Sequence, residues 1–209
     1  GGSGTLTATA GTGYVLNGGT VNTALGGGTL SASGSNTLAA AAAVNAVAVA
    51  AGGTLTLTSA GSFSAAPAVT LAATGNLALG SNQVFGSLAG TGDLALGSFT
   101  LSTGSGGASS FGGVISGTGG LIKQGITVFS LGGSHSYGGS TRVAQGTLAL
   151  QAGNVLPDAS AVTVDSGATL ALGGADTMAS LALAGTLSGA GTLTATSGYT
   201  FSAGAASFS

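Results

Sequence analysis

Residues 53–57 read Gly-Thr-Leu-Thr-Leu, with Leu55 and Leu57 alternating with threonines. Alternation with a period of two puts the leucines on one side of an extended strand and the hydroxyls on the other. The same Gly-x-Leu-x-(Leu/Ala) pattern recurs as GTLTA at 4–8, GTLSA at 28–32, GNLAL at 75–79, GDLAL at 92–96, GTLAL at 146–150 and GTLTA at 191–195, with variants at Leu121 and Leu170. Its first leucines are Leu6, Leu30, Leu55, Leu77, Leu94, Leu121, Leu148, Leu170 and Leu193, a mean spacing of about 23 residues. Self-similarity at such a period is the signature of a solenoid. The expected fold is all-β: a parallel β-helix of roughly nine coils of about 23 residues, filling residues 1–209 as a single domain, with the nine leucines as one inward column. Glycine, serine and asparagine clusters separate the short runs, as turns require. Equivalent leucines at one phase favour stacked coils over a sandwich or barrel. The alanine run 39–43 is the one helix candidate, and its shortness favours a turn leading into a strand at 44–49.

A second repeat aligns LAGTGDLAL (88–96), ISGTGGLIK (115–123) and LSGAGTLTA (187–195) without gaps. It superposes the glycine pairs Gly90/Gly92, Gly117/Gly119 and Gly189/Gly191, which predicts tight corners with positive φ. Structural roles account for all six.

Composition narrows the function. Only six of 209 residues are charged: Asp93, Lys123, Arg142, Asp158, Asp165 and Asp176. An average protein has about a quarter of its residues charged. The net charge of −2 supplies no electrostatic footprint for nucleic acid. Near-zero charge promotes association, which points to an assembled, anchored or extracellular chain. There is no cysteine, so neither a disulfide framework nor a cysteine-ligated metal site can form. No signal-peptide pattern opens the sequence, and no run reaches the ~18 apolar residues that span a bilayer, so no membrane insertion of this segment is expected.

Catalytic and metal chemistry lack the residues they need. His135 is the only histidine, in the glycine-serine turn GGSHSYGG, and reads as a solvated loop side chain. A metal site needs three or four ligands, and a Ser-His-Asp triad would have to use this one histidine. The aspartates are too scattered for a polysaccharide-cleaving cluster, and they do not follow the calcium-binding nonapeptide spacing. Lys123 and Arg142 read as exposed charges at turns. No catalytic residue, metal ligand or cofactor is assigned. Tyr14, Tyr137 and Tyr199 are the exposed candidates for receptor contact.

Residues 111–150, FGGVISGTGGLIKQGITVFSLGGSHSYGGSTRVAQGTLAL, resemble the autotransporter-associated β-strand repeat. The matching positions include Phe111, Gly113, Ile115, Ser116, Gly117, Gly119, Gly120, Leu121, Lys123, Leu131, Gly133, Tyr137, Gly139, Thr141, Val143, Gly146 and Leu148. One departure is Gly125-Ile126-Thr127-Val128-Phe129, where members often have G-x-G-x-L-x-L. The resemblance implies a right-handed parallel β-helix passenger, secreted to a Gram-negative cell surface and acting in adhesion or aggregation. No translocator barrel follows Ser209, so secretion through a self-encoded barrel is an implication only.

Both ends of the sequence are uncharged and strand-like, and they share GTLTAT, at 4–9 and 191–196. Open sheet edges recruit further strands. The expected partners are therefore other copies of the chain or flanking coils of a longer one, with a host or neighbouring-cell surface as a further partner. The expected function is a non-enzymatic extracellular rod that stacks head-to-tail into a surface fibre. The first alternative is an adhesin that binds a receptor or glycan through one face. The remote one is an ice-binding solenoid, since T-x-T occurs at 5–9, 54–58 and 192–196, although Asn76/Ala78 and Asp93/Ala95 break that ladder.

Overall fold

The computed structural model describes residues 5–9, 13–58, 62–202 and 207–208. They form a parallel β-solenoid of about ten turns with no helix. Each complete coil passes three faces. The first face stacks strands such as Ala46–Val49, Ala68–Leu71, Val128–Leu131, Thr147–Leu150 and Thr169–Leu172. The second holds Thr54–Leu57, Asn76–Ala78, Asp93–Ala95 and Ile115–Ser116, then resumes at Asp176–Met178 and Leu193–Ala195. The third runs from Gln83–Phe85 through Leu121–Lys123 to Tyr199–Phe201, preceded by single bridges Leu25–Ala42–Phe63. Two long strands, Gly13–Val21 and Thr29–Leu38, turn the corner between the first and second faces. The alanine run 39–43 is a turn holding the Ala42 bridge, and the strand after it is Ala46–Val49.

The coils are shorter than 23 residues. Directly paired positions lie 16 residues apart at the shortest, Tyr14 to Leu30, and 22 at the longest, Leu148 to Leu170. The leucine spacing overestimates the coil because successive leucines change face. Leu94 pairs with Ile115, and Leu121 comes six residues later on the third face. Likewise Leu121 pairs with Thr141, and Leu148 lies seven residues on, on the first face. Those intervals measure one coil plus one side of the triangle.

The nine leucines therefore do not form one column. Leu55, Leu77 and Leu94 stack on the second face. Leu30 and, further along, Leu148 and Leu170 belong to the first, and Leu121 to the third. All seven are buried, each contributing about 1.5–3 kcal/mol from removal of its side chain from water. Leu193 stacks on Asp176 and is half-buried. Leu6 is 43% exposed, on a strand Thr5–Thr9 that pairs antiparallel with Gly13–Val21, Leu6 opposite Leu16. At this end an antiparallel strand, Thr5–Thr9, is therefore the outermost described strand of the first face.

The glycine pairs divide into two roles. Gly90, Gly117 and Gly189 have φ of 106°, 108° and 99°, a conformation that favours glycine. Gly92, Gly119 and Gly191 lack positive φ, against expectation. A Cβ there would collide with the carbonyl oxygens of Gly75, Phe99 and Gly174 in the neighbouring coil. The first glycine of each pair turns the chain and the second lets two coils approach.

Candidate functional site

Three groups expected on the outside, Lys123, His135 and Tyr137, are inside. Lys123 is 0% exposed. Its Nζ donates to the carbonyls of Gln124 at 2.9 Å, Gly125 at 2.7 Å and Gln145 at 3.1 Å. All three ammonium donors are used on backbone oxygens of two coils, so the cation clamps a corner. Burial lowers its pKa from the ordinary lysine value. The signal for this was present: Lys123 lies two residues from inward Leu121, so the period-two rule sends it inward as well.

The same holds for His135 and Tyr137, which share a side by alternation and are both buried. His135 is 6% exposed, with its Nδ1 accepting a hydrogen bond from the Ile115 N–H at 3.1 Å. Desolvation lowers its pKa to about 4. Its ring lies between Phe111, centroids 6.4 Å apart, and Tyr137, 6.3 Å. The Tyr137 hydroxyl bonds to Thr141 Oγ1, which meets Ser160 Oγ at 3.1 Å, and that hydroxyl donates to Gly139 O. Burial pushes the Tyr137 phenol up, so it stays protonated.

A pattern emerges that residue spacing did not reveal. Four buried polar side chains accept from backbone N–H groups one coil away. Asn36 Oδ1 takes Gly18 N–H at 2.9 Å, and Gln83 Oε1 takes Phe63 N–H at 2.9 Å. His135 takes Ile115 N–H, and Asp176 Oδ2 takes Val155 and Leu156 N–H at 2.8 and 3.3 Å. Each replaces a carbonyl where the regular ladder is interrupted, since a buried N–H left unpaired costs about as much as a lost hydrogen bond. Burial raises the Asp176 pKa, opposed by its backbone donors.

The outer surface is sparse in chemistry. Arg142 is exposed as read, and its Nε and Nη2 reach Asp165 Oδ2 at 2.9 and 2.6 Å. Asp93 Oδ1 accepts from Val114 N–H at 3.2 Å. Among the described residues, no group of three or more His, Cys, Asp or Glu is placed to hold a metal ion. The outward column through Thr20, Thr37, Thr56, Ala78, Ala95 and Ser116 loses its threonines after three coils. Ile126 is 88% exposed at a corner.

Of the tyrosines, Tyr137 is internal and Tyr14 is partly buried, its hydroxyl accepting from Gly26 N–H. Tyr199 is 46% exposed and stacks on Phe201, 50% exposed, with ring centroids 6.0 Å apart. With Leu172, Leu181, Leu187 and Leu193 they line a groove at the outermost described coil.

Fold and surface together define a three-sided parallel β-solenoid with a polar-studded core and a nearly uncharged exterior. Protein-family models, curated proteins and solved structures give no match to the chain.

Proposed function

We propose that the chain is a non-enzymatic structural rod of the autotransporter-passenger type, exported to a bacterial surface, where it associates head-to-tail and mediates adhesion. The observation that carries this reading is the groove at the outermost coil. There Leu193 on the second face and Tyr199 on the third extend the core columns to an edge of parallel strands, the outermost described on those faces, while on the first face Ser207–Phe208 pairs beyond Leu187. Such an edge accepts another strand through its backbone groups, and a heterologous contact that does not close builds a filament. The net charge of −2 offers almost no repulsion. At the opposite end Thr5–Thr9 covers the first face, so stacking there engages the second and third faces or displaces this strand.

Negative-stain microscopy of the purified 209-residue chain tests the reading. Rods longer than one chain are expected, and Leu193→Asp with Phe201→Asp shortens them to single particles. Well-dispersed monomers at high concentration sink the self-association reading. The second reading, an adhesin that engages a receptor through one face, draws on Ile126 and Val128, both exposed beside the same corner. Ile126→Asp then abolishes cell binding and leaves rod length unchanged.

A further inference from the structure

The second face loses its regular ladder between Ile115 and Asp176. Ile115–Ser116 is two residues long, and no strand of that face forms at His135 or Val155. A file of hydrogen bonds takes over. Ile115 N–H goes to His135 Nδ1, Ser136 N–H to Ile115 O at 2.9 Å, and His135 N–H to Val155 O at 3.1 Å. Val155 N–H then goes to Asp176 Oδ2, and Asp176 N–H to Thr192 O at 2.8 Å. Two of these links end on titratable side chains.

His135 Nδ1 accepts a hydrogen bond only while it carries no proton; in that tautomer the ring hydrogen is on Nε2. Nε2 is itself buried without a partner. A second proton therefore lands on Nδ1, opposite the Ile115 N–H, and creates a cation between the Phe111 and Tyr137 rings with no acceptor to receive it. The closed seam has no place for an imidazolium.

We propose that His135 is an acid-operated latch. Its protonation breaks the Ile115 link and opens the second face between the coils of Ile115 and Val155, exposing Phe111 and Tyr137, while the first and third faces stay paired. Because burial holds the closed-state pKa near 4 against an ordinary 6.5, the open state binds more protons between these values. Closure is thus fully favoured above about pH 6.5 and is weakened as pH falls towards 4. The other titratable groups on this seam do not supply the effect. Tyr137 stays neutral throughout. Asp176, with Asp158 nearby raising it further, has the opposite sign, since protonation relieves its burial penalty and tightens the seam. Asp93 holds Val114 N–H from the outer side of the same face.

Amide hydrogen exchange at Ile115 and Ser136, the two amides that cross from one coil to the other at this point, corrected for intrinsic rates, tests the latch between about pH 7 and 4.5. The two pKa values predict roughly a 60-fold loss of protection in the native sequence. His135→Gln supplies a non-titrating acceptor, the role Gln83 already plays for Phe63 N–H, and its protection stays flat. The Leu148 amide on the first face stays flat in both. The same loss in His135→Gln overturns the proposal. So does NMR titration of the native His135 ring near 6.5 with Ile115 protection unchanged, a result that stands even if the variant folds poorly.

Discussion

Lys123 stands among the largest fully buried side chains, with three carbonyl partners and no carboxylate. An ammonium without an ion pair is costly to bury, and only complete hydrogen bonding offsets it. Its stem packs against Gly104, where a Cβ would lie 2.9 Å from Lys123 Cδ. Lys123→Met keeps the length and apolar stem but orphans three oxygens. We expect a loss of about 2–4 kcal/mol, read from urea unfolding. Arg142→Met, at an exposed end of a surface pair, leaves the midpoint where it was. An unchanged midpoint in Lys123→Met as well removes the clamp interpretation.

At the scale of strands and corners, spacing between coils is set by glycines rather than by leucines. Gly119→Ala pushes a methyl into the Phe99 carbonyl and forces two coils apart, at an expected cost of about 2–3 kcal/mol. Gly107 has no atom within 4 Å of a Cβ and no positive φ, so Gly107→Ala gains about 0.5 kcal/mol by restricting the unfolded chain. Thermal melts of the two variants should move in opposite directions; parallel shifts reject the distinction. The contrast marks what the chain displays before folding. Alternation around Leu55 and the turn clusters were enough for strands and solenoid, because both follow from local pattern. The number of faces was hidden, because a leucine on any face looks the same in sequence and the six-to-eight-residue steps between faces merge with the coil length. The Asn36 site was equally hidden. Its Nδ2 serves Ser33, Gly34 and Thr54 at 2.8, 3.1 and 3.1 Å while its Oδ1 holds Gly18, a set of partners fixed only once three coils are stacked. His135 and Lys123 were legible by period two from Leu121 and Tyr137, but their charge and glycine-rich neighbours suggested solvent.

Across the whole molecule, each coil touches chiefly the coils before and after it, so stability is close to a sum of neighbour terms. Where a defect falls then matters as much as its size. Leu94 is fully buried between Leu77 and Ile115, in the column that leads into the His135 seam. Leu94→Ala opens a cavity worth about 2–5 kcal/mol beside the stretch where the second face has fewest strands. The coils on either side should then unfold separately, giving two urea transitions and a shallower slope for each, since slope follows the area exposed. Leu193 is half-buried with one described neighbour coil on its face. Leu193→Ala should therefore keep a single transition with a midpoint close to the native one, and lose protection only in the amides of Leu193–Ala195 and Tyr199–Phe201. A single unchanged-slope transition in Leu94→Ala would show that the rod unfolds as one unit despite its seam, with coupling through the first and third faces strong enough to bridge it.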